Sequence, residues 1–246
     1  MQFVRCKERA AAPVYTHGFM HVQANASPPD ARQWGREHVW SSLRGLFPPL
    51  SRLELDVSFA LYSLLAKGEP VTIRAAALTA GLPRADVEDV VSRLPCVFRD
   101  PSGRVTDYWG ISSIETPHRV AFADNLAYAW SAWDALFICH ALGVTAQVQS
   151  RCARSATPVI LEIGPHGAEA AGDPPAVSFA APAPFETAAQ VAAKYVHDCH
   201  FFAAERWAGE WAARHPGTSI LSLADAWELA RRRNEACYGV DCKRAE

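Results

Sequence analysis

Apolar residues recur at helical spacing from Leu53 to Ala66 and stop at Lys67-Gly68, which predicts a helix closed by a glycine turn. Val71 to Ala80 predicts a second short helix, and Arg84 to Leu94, after Gly81-Leu82-Pro83, predicts a third. Cys96-Val97-Phe98, the turn Asp100-Pro101-Ser102-Gly103 and the run Val105 to Ile111 read as a hairpin. Three helices followed by a hairpin predict a winged-helix-like module over residues 51–117. Residues 1–50 carry no sustained period beyond a helical candidate from Pro29 to Leu46, with Ser27 as a cap, and read as an N-terminal extension. Pro48-Pro49 ends it, because proline lacks the donor that continues a helix.

Beyond Pro117 the pattern changes. An unbroken apolar run predicts a long buried helix from about Asn125 to Leu142. Strand candidates follow at Thr145 to Cys152, Pro158 to Ile163, Ala176 to Ala180, Val196 to Ala203 and Ser219 to Leu223, with helices at Arg206 to Arg214 and Ala224 to Ala236. Residues 118–246 therefore read as an α+β core domain, without a glycine-rich phosphate loop.

Composition narrows the function classes. Lys and Arg number 24 against 26 Asp and Glu, so net charge supplies no pull toward nucleic acid or an anionic membrane. The third helix, Arg84 to Arg93, carries three acids against two arginines, which opposes phosphate contacts and favours a packing role over DNA binding. Leu126 to Val144 approaches spanning length, but Asp134 in its middle makes a buried helix of a soluble protein the expectation. Charges in Met1 to Arg9 precede any apolar run, which points away from secretion and to the cytoplasm. Seven cysteines without a Cys-x-x-Cys pair imply reduced thiols.

The candidate chemistry lies in the apolar helix. Ser131 and Asp134, three positions apart on one helix face, address one small molecule, and Tyr128, Trp130, Trp133 and Phe137 supply an aromatic surround. Burial among such rings raises a carboxyl pKa and suits it to donate a proton near neutrality. His197, Asp198, Cys199 and His200 form a second cluster. On one strand His197 and Cys199 share a face while His200 points away, so these two are the candidate metal ligands, against the plainer reading of core packing. Cys237 and Cys242 near the C-terminus read as tail thiols, and Arg231-Arg232-Arg233 as a solvated helix end.

The run Leu126-Ala127-Tyr128-Ala129-Trp130-Ser131-Ala132-Trp133-Asp134-Ala135-Leu136-Phe137, closed by Ala141-Leu142-Gly143, resembles the active-site helix of the alkylmercury (organomercurial) lyase family. Gln149-Ser150-Arg151-Cys152, Thr157-Pro158-Val159, His200-Phe201-Phe202-Ala203, Trp211 to Gly217 and Leu223 to Trp227 follow in the family's order, and the resemblance covers about residues 52–238. It implies a MerB-like mixed sheet with helices behind the N-terminal module. In that family a cysteine pair binds the mercury of an organomercurial and an aspartate protonates the departing carbon. Asp134 falls on the acid position, Ser131 on the first cysteine position and Val196 on the second. Neither a hydroxyl nor a valine is a soft ligand. Cys199 replaces Val196 only if the register of its strand shifts.

The sequence thus predicts an alkylmercury-lyase-like enzyme without a cofactor. Asp134 donates a proton, Ser131 orients the substrate, and Trp130, Trp133, Tyr128, Val196 and Cys199 line the pocket. The missing thiols imply divergence from carbon–mercury cleavage toward another small-molecule reaction, of the kind found in specialised metabolism. The alternative is a non-catalytic protein that holds a soft metal or small ligand on the same scaffold. The oligomeric state is left open.

Overall fold

A computed structural model describes residues 35–47, 49–179, 190 and 197–239. Val196, Cys242 and the first part of the helical candidate at residues 29–34 lie outside the described residues. What is described of that candidate is helix α1, Arg36–Leu43, followed by one 3-10 turn.

Helix α2, Arg52–Leu65, begins at a reciprocal capping box: Ser51 Oγ accepts the Glu54 N–H, and Glu54 Oε2 accepts the Ser51 N–H at 2.8 Å. Helices α3, Ile73–Ala80, and α4, Arg84–Arg93, pack against it through Val57, Leu61, Ala76, Val87 and Val90, all fully buried. On α4 the arginine at position 93 is held by Asp89 and Glu54, so its charge is locally balanced.

Strands β1, Val97–Arg99, β2, Val105–Tyr108, and β3, Ile111–Ser112, form the expected hairpin region. They do not close off a separate sheet. β3 pairs with β5, Asn125–Ala129, and the sheet continues through β4, His118–Phe122, β6, Ala146–Arg151, β7, Pro158–Gly164, and β8, Gly167–Ala170, as an eight-stranded sheet. Hydrogen-bonded structure thus runs across the boundary expected at residue 117. Every pairing among the described strands is antiparallel, and sheet with helices makes the expected α+β class. On β6 and β7 alternate residues are buried, Ala146, Val148 and Ser150 against Val159, Leu161 and Ile163, as one covered face requires.

The expected helix from Asn125 is wrong in its first third. Residues 125–129 are strand, and helix α5 spans Ala132–Leu142 with Ser131 as N-cap and Gly143 in the left-handed conformation (φ 66°) as C-cap. Ala127 and Ala129 are the buried positions of β5, and alanine's small side chain gives little strand signature. α5 is buried from Ala132 to Cys139, between the sheet and α7, Leu223–Tyr238. A smaller antiparallel sheet, with β9, Ala176–Phe179, between β10, Phe201–Phe202, and β11, Ser219–Ser222, is covered by helix α6, Glu205–Ala212. Among the described residues no helix is long and apolar enough to cross a membrane.

Candidate active site

The strand-to-helix junction at Ser131 builds the site. Ser131 Oγ accepts the Asp134 N–H at 3.3 Å, satisfying one donor that a helix N-terminus leaves open. Ser131 therefore sits ahead of the helix, not on its face, yet the pair meets as expected: its hydroxyl and N–H also donate to the Asp134 carboxyl. Asp134 is 7% exposed. Its carboxyl rests against Gly110, where an added Cβ would lie 2.5 Å from Oδ1. Burial raises its pKa to about 6, and the Ser131 donors and the charge of Arg233 hold it from rising further.

Cys199 comes into this junction. Its carbonyl accepts the Ala132 N–H at 3.2 Å, its sulfur accepts the Trp133 N–H, and its thiol lies against the Ser131 hydroxyl. The side chain is fully buried, and burial, then the nearby Asp134 charge, pushes the thiol far up, so the proton rests on sulfur. His197 and Cys199 do not alternate along a strand, because residues 197–198 are helical and the strand begins only at Phe201. A turn, not a strand register, aims Cys199.

A second thiol borders the acid. Cys96 sits at positive φ (57°) ahead of β1, its carbonyl accepts the Trp109 N–H at 3.2 Å, and Trp109 leads directly into Gly110. Burial and then the Asp134 charge push this thiol up to about 12. The sequence carries no signal for it, since the approach depends on the hairpin placing residue 96 beside residue 109.

The other expected site residues divide. Trp133 is buried and meets Phe47, Phe137 and Phe179 edge-on at 5.8, 5.5 and 5.6 Å, forming an aromatic wall beside Asp134. Trp130 engages elsewhere: its Nε1 donates to Asp107 at 2.9 Å and its ring meets Phe98 edge-on. Tyr128 lies on β5 between the buried Ala127 and Ala129 and is itself half-buried, on the opposite side of the strand. His197 is exposed while Cys199 is buried, so this pair does not converge, and its backbone carbonyl bonds to His200 Nε2 at 2.6 Å. Among the described residues no group of three or more His, Cys, Asp or Glu side chains is placed to hold a metal ion.

Arg233 corrects the reading of the arginine run. Arg231 and Arg232 do lie outward, paired with Glu228, Glu235 and Glu37. Arg233 is fully buried inside a box of rings, with its guanidinium carbon 4.3 Å from the centre of Phe137, 5.1 Å from Tyr238, 5.2 Å from Trp109 and 5.5 Å from Phe47. Nη1 donates to Asn234 Oδ1 and Tyr238 Oη. The signal was available: Ala226, Leu229, Ala230, Arg233 and Cys237 trace the buried stripe of α7 at helical spacing. Cys237 accordingly is a core residue, not a tail thiol.

Known proteins agree with this architecture. The alkylmercury lyase family model matches residues 111–234. An alkylmercury lyase of Bacillus cereus is 33% identical over 172 residues, 70% of this chain and 77% of that protein. One of Streptomyces lividans is 30% identical over 181 residues, 74% of this chain and 83% of the relative. The crystal structure of the mercury-bound form of MerB2 superposes with a TM-score of 0.61 at 18% identity, covering 83% of this chain and 99% of that one, a likeness of fold. With the family model matched over residues 111–234 and relatives 30–33% identical over 70–74% of its length, the chain belongs to the alkylmercury lyase family.

Proposed function

We propose that this protein is a protonolytic lyase in which Cys199 captures a soft atom of a small molecule and Asp134 protonates the carbon that leaves it. The carrying observation is the Ser131 hydroxyl, which contacts both the Cys199 sulfur and the Asp134 carboxyl. The thiol supplies the proton. As sulfur bonds to the soft atom its proton passes through Ser131 to Asp134, and Asp134 delivers it to carbon as the carbon–soft-atom bond breaks. Thiol plus substrate become a sulfur adduct plus a protonated carbon product, with no proton gained or lost from solvent. A carboxyl with pKa about 6 both accepts and returns a proton near neutrality. Trp133 and its neighbouring rings exclude water from the step.

The substrate class has moved away from the family's organomercurials. Ser131 and Val196 stand where the family resemblance places thiols, so a dithiolate product cannot form there. Phenylmercury remains a suitable probe of the half-reaction. With wild type, benzene release is expected to stop near one equivalent per chain. Ser131→Cys combined with Val196→Cys is expected to turn over repeatedly. Equal turnover by wild type would refute the divergence, and benzene release surviving Cys199→Ser in the wild-type background would refute the role of that thiol.

A second reading has its own support. Cys199 is fully buried, so a soft ligand once bound to its sulfur is shielded from exchange with solvent. It predicts capture of phenylmercury with no benzene formed.

A further inference from the structure

Arg233 is a fully buried cation whose Nε and Nη2 have no hydrogen-bond partner among the described residues. Buried polar atoms are almost always paired, so two bare donors on one charged group require an explanation. The aromatic box does not provide it. Ring stacking engages the face of a guanidinium, whereas N–H donors point outward in its plane. Nη1 is already committed to Asn234 at 2.9 Å and to Tyr238 at 2.8 Å, and Tyr238 Oη continues to Tyr62 Oη at 3.3 Å. These contacts fix the plane of the group and leave one edge unpaired. Nε and Nη2 make up that edge, and their parallel N–H bonds match the spacing of two carboxylate oxygens.

The guanidinium adjoins the Asp134 site, whose carboxyl feels its charge. Phe47 and Phe137, two walls of the Arg233 box, also meet Trp133, the residue before Asp134. Trp109, a third wall, precedes the Gly110 that abuts the Asp134 carboxyl. We infer that the substrate of this site is a small carboxylate, held bidentately by Nε and Nη2 of Arg233 while its reacting end faces Asp134 and Cys199. The inference rests on the lyase reading and names its substrate class.

Benzoate, with benzamide as its neutral counterpart, tests this by calorimetric titration of the whole chain. Benzoate is expected to bind saturably at one site and benzamide not at all. Arg233→Lys, which keeps the charge and loses the fork, should weaken benzoate about tenfold, and Arg233→Met should abolish binding. Should the Met variant fail to fold, the ¹⁵N-edited signal of the wild-type Arg233 Nε–H supplies the readout, with a downfield shift expected on adding benzoate. Asp134→Asn should keep benzoate binding while losing rapid benzene release from phenylmercury, which separates a failure of this inference from a failure of the lyase reading. Equal affinity for benzoate and benzamide, undiminished binding by Arg233→Met, or an unmoved Nε–H signal would overturn it.

Discussion

Gly110 lies flat against the carboxyl of Asp134, with room for no side chain: a Cβ there would stand 2.5 Å from Oδ1 and 2.8 Å from the Asp134 Cβ. Gly110 also holds φ +92°, a conformation that L side chains rarely adopt. Gly110→Ala should therefore cost about 1–3 kcal/mol of stability. It should also displace the acid and lower the single-turnover rate of the folded fraction, as denaturation and stopped-flow measurements will read.

Asp134 trades stability for chemistry. Its pKa rises from 3.8 to about 6 on folding, so the native state holds this proton where the unfolded chain has released it. The contribution is neutral below the unfolded pKa, becomes destabilising as pH climbs from about 4 to about 6, and then stays constant at up to about 3 kcal/mol. Asp134→Asn is expected to be more stable than wild type at pH 8 and nearly equal to it at pH 4. Urea denaturation at the two pH values checks this, and a variant less stable at pH 8 would contradict it.

The same carboxyl sets the pH profile of the reaction. Ionised Asp134 must accept the thiol proton before it can return it, so the single-turnover rate should rise as pH passes through about 6 and level off above. In Ser131→Ala the relay is lost together with the helix cap. That variant should lose about 1 kcal/mol of stability and at least about tenfold in rate. A cap role alone would lower stability and leave the rate of the folded protein unchanged.

His118 acts in the opposite direction on acid stability. Burial drives its pKa down to about 4, its Nδ1 meets Ser150 Oγ at 2.9 Å and its ring lies edge-on to Phe201. The unfolded chain takes up this proton at a higher pH than the native state does. Stability from this group is therefore complete above about 6.5 and is lost as pH falls toward 4. His118→Gln should flatten the loss of stability between those values in thermal denaturation.

Local signals made much of the fold legible and long-range placement did not. The helices α2 to α4, the hairpin and most later strands follow from periodicity and turn residues. The error at Asn125 came from reading continuous apolarity as one helix, although Ser131 three residues before Asp134 was a capping sequence at the true start. Asp134 and Ser131 were found because they are neighbours in the chain. Cys199 escapes a local reading because a helical turn takes the place of the expected strand, and Cys96 depends on a chain crossing that no local pattern records. Arg233 alone had a usable trace, its place on the buried stripe of α7.

The central claim is that Asp134 hands to carbon the proton released by Cys199. Single-turnover release of benzene from phenylmercury, measured without added thiol, tests it most directly. Wild type should release about one equivalent, Asp134→Asn should release it at least about a hundredfold more slowly, and Cys199→Ser should release none. Release from Asp134→Asn at the wild-type rate would contradict the account.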